Sequence, residues 1–347
     1  MIRRSFLATL AATPAALAQA PQRVPVSKIP APTIPAVVDA LKVSVSEVIV
    51  PVTVTDEKGR FVSDLDKGDF TILDEGRPQK ITYFNRERQQ PVVAGFLLDM
   101  SNAQRLHWAK FLDAAQELVL SLLPGDPRFA GYLITYSNEA ELAVNTTTDS
   151  DKLLDKIRKL KPGGGSAMYD ALYMACTSRN LVKGEPIEPR RVVIIIGDGH
   201  DNASKKSLDE VVELAQRNLV TVYGVSTVAF GFTSEGEKNL TRLAEETGGR
   251  VVQPLQNVYK DVSGYLSTPS DEGNYALKVG TGGYASAIAQ GLFRAVADTV
   301  GEIVTQYIIR YAPETTDDKK AFRKIEVKVN QPGVIIRHRK GYYRYLP

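Results

Sequence analysis

Val92-Val-Ala-Gly-Phe-Leu-Leu-Asp99 is an unbroken apolar run that stops on a carboxylate, and Val192-Val-Ile-Ile-Ile-Gly-Asp198 has the same form a hundred residues later. Short continuous apolar runs bounded by polar residues read as strands buried on both faces, the signature of a parallel sheet covered by helices. The intervening and following sequence supplies those helices. Trp108, Phe111, Leu112, Ala115, Leu118, Val119 and Leu122 recur at helical spacing. The same alternation predicts a strand over Phe129–Tyr136, a shorter one over Ala140–Val144, and helices over Asp151–Leu160 and Ala167–Arg179. Further on it predicts helix Leu208–Arg217, strand Thr221–Val225, helix Lys238–Glu246 and strand Arg250–Gln253. The fold class is α/β, a doubly wound and mainly parallel sheet. In such sheets ligands sit beyond the carboxyl ends of the strands, where strand order reverses, and Asp99 and Asp198 each end a strand.

The flanks have a different grammar. Val48, Val50, Val52 and Val54 alternate at period two, and turns at Asp56–Gly59 and Asp74–Gly76 divide residues 43–84 into three or four strands. Three more strands, Gln306–Tyr311, Arg323–Val329 and Val334–Arg339, close the chain. Neither set suffices for a stable sheet alone. The ends of an inserted domain lie close together, so residues 43–90 and 305–347 are expected to form one small split β-sandwich around an α/β domain over 91–304. A Gly-, Ser- and Tyr-rich stretch without clear period, about 259–291, reads as an insertion, followed by a helix over Leu292–Val304. The run Arg337-His-Arg-Lys340 reads as the solvated edge of the last strand.

Residues 1–18 read as an export signal: Arg3 and Arg4, an apolar run Phe6–Leu17, and small residues at Ala16 and Ala18. The Arg3-Arg4-Ser5-Phe6-Leu7 stretch is also similar to the twin-arginine pattern. Residues 19–42 form a proline-rich linker. The expected location is outside the cytoplasm, in the periplasm, secreted or on the cell surface, with no membrane span in the mature chain. With 43 Lys+Arg against 40 Asp+Glu, no strong field recruits nucleic acid. A single cysteine excludes an intramolecular disulfide, and three histidines leave little for a zinc site.

The residues that carry chemistry are oxygen donors on three successive loops. Asp99 and Ser101 follow the first apolar strand, Ser166 follows Gly163-Gly-Gly165 at a helix start, and Asp198 ends the second strand. Two hydroxyls and two carboxylates at one sheet edge suit a hard cation such as Mg²⁺ that keeps several waters. A shell left one ligand short would accept a carboxylate from a partner.

Phe96-Leu-Leu-Asp-Met-Ser101, Gly163-Gly-Gly-Ser-Ala-Met-Tyr-Asp-Ala171 and Val193-Ile-Ile-Ile-Gly-Asp-Gly-His-Asp-Asn202 resemble the three loops of a von Willebrand factor A (vWA) domain. Pro51–Val62, Asp69-Phe70, Arg323–Val329 and Arg339-Lys-Gly-Tyr-Tyr343 are similar to the bacterial VWFA-related group first defined in Acidobacteria. The resemblance implies a Rossmann-like vWA fold and a non-enzymatic, protein-binding role. It also implies a metal-ion-dependent adhesion site binding Mg²⁺, with Mn²⁺ as an alternative, completed by an acidic side chain of a protein partner. The family's ligand pattern is Asp-x-Ser-x-Ser, then Thr, then Asp. Asp99 and Ser101 match the first loop, Ser166 stands where Thr is usual, and Asp198 matches the last. Ala103 occupies the third position of the first loop, which removes one hydroxyl ligand.

Each of these residues also has a plain structural reading. Asp99 and Ser166 are ordinary helix-capping types, Asp201 and Asn202 are capping and turn residues, Asp170 belongs on a helix surface, His200 in a loop and Cys176 in a core. A scaffold whose metal site has decayed, binding through another surface, is the second reading. A haloacid-dehalogenase-like phosphatase is the third, but Ser101 stands where that chemistry needs a second aspartate as general acid. A subtilase reading lacks its nucleophile loop.

Overall fold

The computed structural model describes residues 47–86, 90–105, 108–178, 181, 189–227, 235–254, 281–313 and 321–343. The expected export signal, the linker and most of the 259–291 insertion lie outside the described residues. In chain order the elements are β1 (Val48–Asp56), β2 (Phe70–Asp74), β3 (Arg77–Gln79), β4 (Ile81–Asn85), β5 (Val92–Asp99), α1 (Trp108–Leu122), β6 (Phe129–Tyr136) and β7 (Ala140–Thr147). Then follow α2 (Ser150–Ile157), α3 (Met168–Thr177), β8 (Arg190–Gly197), α4 (Leu208–Arg217), β9 (Val220–Ser226), α5 (Glu235–Thr247) and β10 (Val251–Val252). The last are α6 (Thr281–Thr305), β11 (Tyr307–Tyr311), β12 (Phe322–Val329), β13 (Val334–His338) and β14 (Gly341–Tyr343).

The two apolar runs are neighbours. The central sheet has the order β10-β9-β8-β5-β6-β7, parallel throughout except for β7, which runs antiparallel to β6. Every residue of β5 is buried, because each face of the strand meets its own core. Val92, Ala94, Phe96 and Leu98 pack with α1, α2 and α6, whereas Val93 and Leu97 pack with α3, α4 and α5. The helices start where capping chemistry is available. Asp149 accepts from the Asp151 N–H at the start of α2, and Ser207 and Glu210 form a reciprocal capping box on α4. Chain order reverses between β5 and β8, so the crevice of this sheet opens beyond Asp99 and Gly197. Among the described residues, no helix is long and apolar enough to cross a membrane.

The flanking strands make two four-stranded antiparallel sheets, β13-β1-β11-β4 and β14-β12-β2-β3, and each sheet draws strands from both ends of the chain. They share one core, with Val48, Val50, Val52 and Val54 of β1 facing Phe70, Ile72, Ile325 and Val327 of the other sheet. A buried Asp74–Arg323 pair (2.7 Å) lies in the sandwich, where Tyr311 and Tyr342 donate their hydroxyls to the second Asp74 oxygen at 3.0 and 2.9 Å. The opposite face of β1 is buried too. Thr53 donates its hydroxyl to Glu302 of α6 (3.1 Å) and accepts from Gln306 (3.0 Å).

Three sequence expectations need correction. The run Arg337–Lys340 does close an edge strand, β13, but of its four side chains only Lys340 is exposed. Arg337 pairs with the fully buried Glu302 (2.9 Å), and His338 accepts the Val327 N–H on Nε2. Arg339 is buried, donating to the carbonyls of Gly341 and Gln216. The misreading has a physical cause: Glu302, which matches the charge, comes from a helix 35 residues away. The part of the expected insertion from Thr281 onward is helical, because α6 begins eleven residues before Leu292. The chain also closes with one strand more than expected, β14, pairing with β12.

Candidate functional site

Asp99 ends β5 with its side chain buried, 3% exposed. The chain then turns so that one carboxylate oxygen accepts the Ser101 N–H (2.8 Å), and the other accepts the side-chain amide of Gln104 (3.0 Å). Burial pushes the Asp99 carboxyl up to about 6; the Ser101 N–H opposes this, and the nearby charge of Asp198 adds to it. The Ser101 hydroxyl is buried and has no hydrogen-bond partner.

The second loop is stitched to the first. The Gly163 N–H donates to Met100 O (2.6 Å) and the Asn102 N–H to Gly164 O (3.0 Å). Gly164 sits at φ +91°, a left-handed conformation that suits glycine. The Gly165 N–H is held by Asn138 (2.7 Å) and the Ser166 N–H by Asn202 (2.8 Å). The buried Ser166 hydroxyl donates to His200 O (2.7 Å), which leaves its lone pairs unspent.

The third loop folds over the start of α3. Asp198 accepts the His200 N–H (3.0 Å), and the exposed His200 ring lies 3.3 Å from its other oxygen. Asp201 caps α3 by accepting the Tyr169 N–H (2.8 Å) and also holds Ser204. Asp170, expected on a helix surface, accepts the N–H groups of Lys205 and Lys206 and ties this loop down. Cys176 is buried in the core beneath α3, its thiol pushed up to about 12 by burial.

Gly197 is where the strands come closest. A methyl group there would lie 2.6 Å from the Tyr136 hydroxyl, 2.9 Å from Asp99 Cβ and 3.1 Å from an Asp99 oxygen. Tyr136, in register with Asp99 on β6, is buried and its hydroxyl has no hydrogen-bond partner. Burial holds that phenol well above its ordinary value, and Asp99, Asp198 and Asp201 all push the same way.

The structure therefore brings the loops of Asp99, Ser101, Ser166 and Asp198 to one sheet edge. Sequence reasoning missed Gln104, Tyr136 and Asn138, and gave Asn202 only as a capping or turn residue. The roles of Tyr136, Asn138 and Asn202 arise from strand and loop neighbours distant in the chain, whereas Gln104 lies five residues from the Asp99 that it holds. Among the described residues, no three His, Cys, Asp or Glu side chains cluster closely enough to hold a metal, so a cation here would rely on hydroxyls. The donor set fits one: a buried carboxylate bonded to neutral donors, a second carboxylate near it, and an orphaned buried hydroxyl between the loops. Ala103 is exposed and offers no oxygen from its side chain.

Residues 95–260 match the family model of the von Willebrand factor type A domain. Among solved structures, the chain is similar to proximal thread matrix protein 1 from the mussel byssus, at 14% identity and a TM-score of 0.45 over 67% of this chain and 50% of that one. It thus spans about half of the mussel protein's length. It is also similar to an aerotolerance-related membrane protein from Bacteroides fragilis, at 16% identity and a TM-score of 0.38 over 58% of this chain and 99% of that one. A von Willebrand factor type A structure from Catenulispora acidiphila is matched at 11% identity and a TM-score of 0.41, over 78% and 73%. A search of curated proteins gave no match. The apolar strands, the three converging loops and the family match together identify residues 95–260 as a von Willebrand factor type A domain.

Proposed function

We propose that this is an exported, non-enzymatic protein-binding protein whose vWA domain recognises a partner through a divalent cation. Asp99, Ser101 and Ser166 hold Mg²⁺ or Mn²⁺ directly, with Asp198 bound directly or through water, and an acidic side chain of the partner completes the shell. The observation that carries the reading is the unpartnered, buried Ser101 hydroxyl beside the buried Asp99 carboxylate. A protein interior rarely leaves both a hydroxyl unsatisfied and a carboxylate without a matching cation. A hard cation bound by oxygen donors answers both.

One observation favours a second reading, a decayed site. The Gln104 amide already spends a bond on Asp99, and Ala103 supplies no ligand. Thermal melting separates the two. A live site predicts a rise in Tm on moving from EDTA to millimolar Mg²⁺, worth about 2.7 kcal/mol at a hundredfold excess over Kd. Asp99→Ala abolishes the rise, and Ala103→Ser enlarges it by restoring a hydroxyl. A wild-type chain that melts identically with and without the metal supports the decayed site.

A further inference from the structure

We propose that Tyr136 is a positioning residue of the cation site, whose hydroxyl accepts a hydrogen bond from a water of the bound cation and turns its own proton to the neighbouring carboxylates. The inference rests on the live-site reading given above.

Tyr136 ends β6 in register with Asp99, on the face of the sheet covered by α3. The residue is 1% exposed, and its hydroxyl has no hydrogen-bond partner. That oxygen does not end in the apolar core. The point where a Cβ of residue 197 would stand lies 2.6 Å from the hydroxyl and 3.1 Å from an Asp99 oxygen, so the phenol tip comes up beside the carboxylate. Glycine at position 197 leaves room for it. Phenylalanine would fill the place of the ring without an orphaned oxygen, and a buried hydroxyl without a partner costs stability.

The orphaned hydroxyls are not scattered. Among the described residues, those buried without a partner belong to Ser101, Tyr136 and Thr227. They stand just after β5, at the end of β6 and just after β9, all at the carboxyl end of the central sheet. Thr227 shares the wall of a small cavity with Asp99, and its N–H donates to Gly197 O (3.1 Å). A hydrated cation answers this pattern. Mg²⁺ keeps several waters, and a water bound through its oxygen has only protons to offer its surroundings. A neutral phenol can accept such a proton and donate its own to a carboxylate at once. Burial, with the charges of Asp99, Asp198 and Asp201, keeps this phenol neutral.

The test compares Tyr136→Phe with wild type, by thermal melting in EDTA and by calorimetric titration of the full chain with Mg²⁺. The expected effects have opposite signs. Tyr136→Phe melts no lower than wild type in EDTA, yet binds Mg²⁺ about tenfold more weakly. Tyr132→Phe, four residues earlier on the same face of β6, leaves the Mg²⁺ affinity unchanged. Mg²⁺ also gives wild type a tyrosine difference spectrum in the near ultraviolet that Tyr136→Phe lacks. If wild type binds Mg²⁺ and Tyr136→Phe binds it equally well, the role of Tyr136 is overturned and the cation site stands. If wild type does not respond to Mg²⁺, both fall together.

Discussion

At the scale of single residues, Asp99 is held at a cost to the fold. Its carboxyl is pushed up to about 6 from an ordinary 3.8. A raised acid pKa means that the folded state binds the proton more tightly than the unfolded chain. The charged form therefore costs stability above pH 6, and that cost fades as the pH falls toward 4. Asp99→Asn should then raise Tm by several degrees at pH 8 in EDTA, worth up to about 3 kcal/mol, and change little at pH 4. The asparagine oxygen can still accept from the Ser101 N–H, and Gln104 can turn its amide to match. The same variant should lose all response to Mg²⁺. A variant no more stable than wild type at pH 8 would contradict the view that this carboxylate is strained for binding. Gly197 makes a second prediction. With the Tyr136 hydroxyl, Asp99 Cβ and an Asp99 oxygen all within 3.1 Å of an added methyl, Gly197→Ala should cost roughly 1–3 kcal/mol in chemical denaturation. Combining it with Tyr136→Phe should recover part of the loss, since the nearest clashing atom is then gone.

At the scale of elements, α6 joins the two halves of the molecule. Glu302 is fully buried and meets Arg250 beside β10 (2.6 Å), Arg337 of β13 (2.9 Å) and Thr53 of β1. One carboxylate thus balances two guanidiniums from different sheets. Removing one partner of a buried charge cluster strands the rest, so Glu302→Gln should destabilise by about 3–5 kcal/mol, measured by urea denaturation. A loss below about 1 kcal/mol would show that water reaches the cluster. The opposite approach is as close: at Gly248, φ +90°, an added Cβ would lie 2.6 Å from the Arg339 N. These contacts mark the limit of what the sequence disclosed. The apolar runs of β5 and β8 and the helix periods depend on local pattern, and they were legible. The partner of Arg337 was not, because a charge run reads the same whether it faces water or a buried glutamate brought by another element. The start of α6 was hidden for a related reason. Thr281-Gly-Gly-Tyr-Ala-Ser has weak helix propensity, so nothing local announced it.

At the scale of the whole molecule, the sandwich and the vWA domain leave the crevice end of the central sheet to the three loops. The candidates Asp99, Ser101, Ser166 and Asp198 stood out because each ends or follows an apolar strand or a glycine turn, at the carboxyl end of the sheet. Tyr136 and Asn138 were not legible, since their use depends on which strands pair and which loops cross, and Asn202 was legible only as a turn residue and not as the holder of the Ser166 N–H. A site framed this way lies at the end of the sheet, on loops that the rest of the fold supports. The most direct test is a crystal of the full chain soaked in Mn²⁺, with anomalous scattering recorded near the manganese edge. The account predicts one strong peak bounded by the oxygens of Asp99, Ser101 and Ser166, with Asp198 beside it or one water away, and no peak in Asp99→Ala. Ordered density for the three loops with no peak among them would contradict it.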